Sequence, residues 1–268
     1  MKAVAATQPH DPQAGMFGVD ESALRRSYAA KKLATAVDVL PIQYGKANAL
    51  LPAVHGFNGR VLDGEPQLLQ QSFELRYQVY CLERGFLPAE RYPTAIETDA
   101  FDAHSLHIGT LDPLGALVGT ARLVRPSAEG LPIFEHCQLS GGVELQRARV
   151  TGVEVSRLAV SRQYRRSRDG GGALVVALYR SLYEVSKTFG YTHWLVATEP
   201  SLQRLVAKFG FPFRQIGPEV DYLGPVAPYL MDLSEFDRVV MSGKHSALET
   251  FHDVLKRDLA SSPQLATA

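Results

Sequence analysis

This 268-residue chain is poor in several things, and each shortage removes a class of function. It has two cysteines, Cys81 and Cys137, too few for a disulfide scaffold. No metal constellation is legible either: the histidines are scattered and that cysteine pair lacks ligand spacing. No apolar run approaches the roughly 20 residues that a membrane helix needs, and the start carries no apolar signal-peptide core. The expectation is a cytoplasmic protein with free thiols and no membrane span. Lys plus Arg and Asp plus Glu both number 28, so no global field marks a nucleic-acid or anionic-membrane partner. There is no internal repeat, and 46% hydrophobic with 21% charged residues describes an ordinary globular chain.

What is present reads as one α+β domain over residues 49–233 with appended ends. Residues 1–48 are expected to form a flexible tail and an Ala-rich surface helix, and 234–268 a C-terminal helix and tail. A first strand falls between Leu50 and Leu62. Leu69, Phe73, Tyr77 and Tyr80 recur at helical spacing, which predicts a helix from Pro66 to Glu83. Arg76 lies on or beside its apolar stripe, where a long side chain ordinarily snorkels to water. The acids Glu97, Asp99 and Asp102 that follow read as a solvated loop. Ser105–Thr110 and Leu117–Val124 form a hairpin across Asp112-Pro113-Leu114-Gly115, with Arg122 inside its second strand. Residues 126–150 are turn-rich and are expected to wander over the surface. Beyond the strand at 152–161, Leu174, Leu178, Leu182 and Val185 mark a long helix ended by Gly190. Then come a strand at Thr192–Ala197, a helix at Ser201–Phe209, and strands at Phe211–Phe213 and Tyr229–Leu233.

Gly152 to Ser161 is the stretch where chemistry is most exposed to view. It is an apolar strand carrying Glu154 and Arg157. Side chains alternate along a strand, so Glu154, Ser156 and Leu158 share one face and Val155, Arg157 and Ala159 the other. Ionisable groups inside a buried strand need partners; the pair is either a structural ion pair or the core of a site. Downstream, Arg162, Arg165, Arg166 and Arg168 crowd Gly170-Gly171-Gly172 at a helix start. Either backbone N–H groups there bind an anion, or the glycines simply turn the chain. Cys81 reads as core, His104 and His107 sit near the acids, and Tyr222 is either a proton donor or a packed tyrosine.

The order helix, acid loop, hairpin, strand, glycine loop, helix, strand, helix, strand, strand resembles the acetyltransferase-like (GNAT) fold, a central mixed twisted sheet flanked by helices. Arg168-x-x-Gly171-x-Ala173 resembles the acyl-donor loop of that fold. The spaced set Arg76-x-x-Val79-Tyr80, Glu97-x-Asp99-x-x-Asp102, Arg122-Leu123 and Glu154-x-x-Arg157 resembles that of autoinducer (acyl-homoserine lactone) synthases and long-chain N-acyl amino acid synthases. Across the longer text, including Gly217-Pro218 to Tyr229, the chain looks most like the acyltransferases associated with PEP-CTERM/exosortase systems.

The resemblance implies one interlocked charge network beside an acyl cleft. It assigns Glu154, Glu97 and Arg122 to catalysis, and Arg76, Asp99, Asp102 and Arg157 to substrate binding. Arg165, Arg166, Arg168, Gly170, Gly171 and Gly172 go to the acyl donor. No permanently bound cofactor or metal is expected, only an acyl-phosphopantetheine donor on acyl carrier protein or coenzyme A, and a small-molecule amine acceptor. Moving an acyl group from thioester to amine needs a base for the ammonium proton, for which Glu154 is the candidate. Backbone N–H donors for the oxyanion complete the requirement. The implied function is N-acyl transfer from acyl carrier protein to an amino acid. Autoinducer synthesis, acyl-CoA-dependent N-acetyl transfer and a non-catalytic acyl or carrier-protein-binding module are the alternatives.

Overall fold

Four glycine- or proline-punctuated apolar runs supply the strands that matter most, and their pairing is set by which residues can be buried together. The computed structural model describes residue 51, residues 53–165 and residues 170–261. The N-terminal tail and helix expected over 1–48, and Arg166 and Arg168, lie outside the described residues.

Strand β1 (Asn58–Val61) leads into α1 (Pro66–Tyr77), which has proline in its first turn and runs on into a π-helical turn at Gln78–Glu83. One extra residue per turn there re-aims the side chains that follow, a feature common at functional sites. A 3-10 turn at Ala100–His104 precedes the hairpin of β2 (Ser105–Leu111) and β3 (Leu117–Val124). Asp112 closes that hairpin by accepting the Leu114 and Ala116 N–H groups.

Residues 126–150 do not merely wander. They form α2 (Pro132–His136) and α3 (Gly142–Thr151), whose turns bury Ile133, Leu145 and Ala148 against Val124, Leu195 and Leu230. The periodicity is too short to read, since α2 offers a single turn and α3 only two buried positions. Next come β4 (Gly152–Val160), the turn α4 (Arg162–Arg165), α5 (Gly170–Thr188), β5 (His193–Thr198) and α6 (Pro200–Lys208). Phe211 to Phe213 is not a strand. The pairing falls on β6 (Arg214–Gln215), followed by β7 (Val220–Asp221) and β8 (Pro225–Asp232). The helix expected after Ser234 is interrupted: α7 (Leu233–Met241) ends before Gly243, which takes a left-handed φ of 64°. A 3-10 stretch and α8 (His252–Ser261) follow.

The sheet order is β1-β2-β3-β4-β5-β8-β6, with β7 folded back on β8. Among the described strands only β4 and β5 run parallel, as a βαβ crossover through α5 requires. Under one face lies α5. Its Leu174, Leu178, Leu182 and Val185 are fully buried, each worth about 1.5–3 kcal/mol against exposure. Leu106, Ile108, Leu123, Val153 and Val155 meet them from the sheet, and Phe236, Phe251 and Leu255 close the same core. The opposite face receives α1 and the acidic segment. Among the described residues no helix is long and apolar enough to cross a membrane.

Candidate active site

The strand β4 departs from simple alternation at the residue where the charges are. Thr120 pairs with Ala159 and Arg122 with Ser156, so the single residue Ala121 faces both Arg157 and Leu158. This is a β-bulge, and Arg157 carries a left-handed φ of 51°. The expectation that Glu154 and Arg157 point to opposite faces is therefore overturned. Cross-strand partners share a face, which puts Glu154, Ser156 and Arg122 together, and the bulge returns Arg157 to that side. Their partners are nonetheless different.

Three arginines and three acids interlock there. Arg76 binds Glu97 at 2.5 Å and Asp102 at 2.7 and 3.1 Å. Arg122 grips Asp99 with both terminal nitrogens at 2.5 and 2.8 Å, reaches Asp102 at 2.7 Å and donates through Nε to Ser156 at 3.0 Å. Arg157 donates to Glu97 at 3.2 Å and to Asp99 at 2.7 Å. Two expectations fail here for one reason. Arg76 does not snorkel but is 1% exposed, and Glu97 is not in a solvated loop but fully buried, because each neutralises the other. Burial would raise Asp102, but hydrogen bonds from His107 and Arg76 outweigh it and hold its carboxyl far below the usual range. Asp99 is likewise lowered, with Arg122 outweighing its burial.

Glu154 stands outside this balance. It is 1% exposed, and its hydrogen bond is to the Ile133 N–H at 2.8 Å, at the start of α2. Burial pushes its pKa up to about 7, against the lowering pull of that N–H and of Arg122 and Arg157. A carboxylate poised near neutrality beside a cleft is suited to move a proton.

The cleft is made by strand divergence. Parallel pairing of β4 with β5 ends at Glu154 opposite Leu195, although β4 runs on to Val160 and β5 to Thr198. Between the parted ends lies a cavity of about 470 Å³, walled by Val155, Leu158, Val175, Tyr179, Val196 and Leu202. That volume lies within the range of about 300–1,000 Å³ usual for small-molecule sites. Glu154, Ser156, Arg157 and Tyr222 are among its polar lining residues. Tyr222 is stacked on His136 with centroids 4.0 Å apart, and burial raises its pKa. Tyr80, re-aimed by the π-helical turn, donates its hydroxyl to the Leu158 carbonyl in the bulge, and Arg157 lies over its ring.

Gly171 and Gly172 line the cavity at the N-terminus of the 19-residue helix α5. A Cβ on Gly171 would come within 2.9 Å of the Tyr164 carbonyl, so only glycine lets the turn pack this closely. Gly170 is the first residue of that helix. Arg165 and Arg84 also line the cavity, but each is paired, Arg165 with Glu83 and Arg84 with Glu199.

Of the residues singled out in the sequence, Arg76, Glu97, Asp99, Asp102, Arg122 and Arg157 thus come together. Only Arg157 of these, with Glu154, lines the cavity. Sequence reasoning misses Ile133, Asp63 and Arg84, and places His107 only near the acids. His107 is buried between Asp63 and Asp102, at 3.1 Å from each. Its register partner is Arg122, so pairing the hairpin residue by residue was the available signal. No spacing marks Asp63 or Ile133. Cys81 is buried as expected, and burial raises its thiol pKa.

Comparison with known proteins agrees with this geometry. Residues 75–171 match the acetyltransferase (GNAT) domain family. A search of curated proteins returns no match. Among solved structures, TofI in a ternary complex with an inhibitor and MTA aligns with a TM-score of 0.50 at 19% identity, over 63% of this chain and 85% of that one. The AHL synthase LasI aligns with a TM-score of 0.50 at 15% identity, over 68% and 91%. FeeM, an N-acyl amino acid synthase from uncultured soil microbes, aligns at 0.47 and 18%, over 67% and 92%. At such identities the likeness to TofI and LasI speaks to the fold, and with the domain match and the parted β4 and β5 it gives one conclusion: this chain has the GNAT acyltransferase fold.

Proposed function

We propose that the protein is an N-acyltransferase that moves a fatty acyl group from the phosphopantetheine thioester of acyl carrier protein to the amine of an amino acid or related small molecule. The observation that carries this reading is Glu154, a buried carboxyl with a pKa of about 7, at the apex of an apolar cleft. The amine must be neutral to attack. Glu154, directly or through water, takes the ammonium proton; the amine nitrogen bonds to the thioester carbon, the C–S bond breaks, and the thiolate takes up the second proton that the nitrogen sheds on becoming an amide. The oxyanion is received by backbone N–H groups, for which the bulged strand is the candidate. Arg157 offers the acceptor its charge, while Glu97, Asp99, Asp102, Arg76 and Arg122 hold that guanidinium in place. Val155, Leu158, Val175 and Tyr179 favour a hydrocarbon chain over an acetyl group.

Donor choice belongs to the mouth of the glycine turn. Gly170, Gly171 and Gly172 at the α5 N-terminus suit a pantetheine phosphate. Arg165, Arg166 and Arg168 suit the acidic surface of a carrier protein. Coenzyme A shares the phosphopantetheine arm and is the alternative donor. The proposed link to PEP-CTERM/exosortase-associated acyltransferases rests on the motifs at 76–83, 97–105, 154–160 and 217–229.

A second reading, acyl-homoserine lactone synthesis, is favoured by the fold likeness to LasI. Mass spectrometry of lipid extracts from cells expressing the protein and its Glu154→Gln variant separates them. New N-acyl amino acids that disappear in the variant support the proposal. A homoserine lactone product favours the second reading, and no new amide with retained capture of acyl carrier protein favours a binding module.

A further inference from the structure

A second cluster of chemistry-bearing side chains lies at the other end of the sheet. Glu144 projects from the first turn of α3, His193 begins β5, and Asp232 ends β8. His193 and Asp232 are register partners. A ring nitrogen of His193 and one carboxylate oxygen from each acid all lie within 4.8 Å of one another. None of the three lines the cavity, and along β5 His193 lies three residues before the first cavity-lining residue, Val196, a span of about 10 Å at strand rise. The cluster is therefore separate from the proposed acyl site.

Its hydrogen bonding is unusual. Among the described residues no hydrogen bond or ion pair joins any two of the three. His193 is 6% exposed, and its Nδ1 meets the Thr192 hydroxyl at 2.8 Å. That hydroxyl also meets the Thr151 carbonyl and the Thr151 hydroxyl. Nε2 makes no hydrogen bond among the described residues, and with Nδ1 turned to Thr192 it is the nitrogen left to ligate. Asp232 uses Oδ1 to cap α7 through the Ser234 N–H. Glu144 accepts from Arg214 through Oε1, and that arginine is 51% exposed, so its side chain can swing away. The Ser234 hydroxyl and the Glu235 N–H also meet the Asp232 carboxylate, while the Oε2 of Glu144 lies outside the bond to Arg214. An imidazole nitrogen beside two carboxylates is a donor set that a cation stabilises.

We infer that Glu144, His193 and Asp232 form a binding site for a divalent metal of the zinc class, which ties α3, β5 and β8 together. One imidazole and two carboxylates are a borderline N/O donor set, suited to Zn²⁺ or Co²⁺, with water filling the remaining positions. The Thr192 hydroxyl is the outer partner that orients the ring, as ligating histidines require.

The test uses the full-length protein, stripped with EDTA and free of any histidine tag, titrated with Zn²⁺ by calorimetry and with Co²⁺ by visible absorption. The expected result is one equivalent bound, with a raised melting temperature. Glu144→Gln is partly exposed and preserves volume; it should weaken binding about tenfold or more, and His193→Ala should abolish it. Glu154→Gln should bind as the unaltered protein does, whatever that variant does to acyl transfer. No binding, or binding unchanged in both Glu144→Gln and His193→Ala, overturns the assignment.

Discussion

Replacing Glu154 by glutamine tests the electrostatics of the proposed base independently of any substrate. Glutamine is nearly isosteric, and its carbonyl oxygen can still accept the Ile133 N–H bonded by Glu154 at 2.8 Å. It cannot ionise. Burial lifts the carboxyl from its ordinary 4.5 to about 7 in the folded state, and at 1.36 kcal/mol per pH unit this corresponds to about 3 kcal/mol. The sign follows from linkage. A folded-state pKa above the unfolded one means that the folded protein binds the extra proton, so its stability is full below pH 4.5 and falls as pH rises through about 7. His107, also raised, adds a decline near neutrality, which is why the difference between the two proteins is the quantity to follow. Urea unfolding of both, from pH 4.5 to 8.5, should show the variant gaining about 3 kcal/mol on the wild type across that range. A difference that stays flat with pH refutes the claim that Glu154 is an uncompensated buried carboxyl.

The remaining expectations concern the groups that hold Glu154 and Arg157 in place. Arg76→Ala leaves buried Glu97 and Asp102 short of a partner and should destabilise by about 3–5 kcal/mol in equilibrium unfolding; Arg76→Lys should recover only part, since an ammonium cannot serve both acids in a fork. Tyr80→Phe removes the hydroxyl bond to the Leu158 carbonyl. It should cost about 1 kcal/mol of stability and, by loosening the bulge, lower kcat more than it raises KM. Burial alone would lower His107, but Asp102 and Asp63 hold it above 6.5. Asp63→Asn should bring its NMR titration midpoint down, and with it the pH at which the contribution of His107 to stability is lost.

Much of the fold was legible because its signals are local. The α5 stripe, the hairpin turn at Asp112 to Gly115, Pro200 and Gly210 around α6, and the apolar run of β4 each declare themselves within about one element's length. The charged residues were found too, but their burial was misjudged for Arg76 and Glu97. Single-residue expectations price each charge alone, whereas the structure sets them 2.5 Å apart across 21 residues of sequence. The bulge at Arg157 was invisible for a related reason: a left-handed arginine has no sequence mark, and one extra residue inverts every face beyond it. Ile133, Asp63 and the Glu144–His193–Asp232 cluster depend on tertiary approach between segments with no shared periodicity.

The most direct test of the central claim is a reconstituted transfer assay. Purified protein is given matched long-chain thioesters of acyl carrier protein and coenzyme A with a mixture of amino acids, and amide products are followed by mass spectrometry as a function of pH. The account predicts N-acyl amino acid formation, faster from the carrier protein, rising with pH through about 7 as Glu154 ionises and reduced by a factor of about 100 or more in Glu154→Gln. No amide from either donor, or a Glu154→Gln enzyme that keeps the full rate and pH profile, would contradict it.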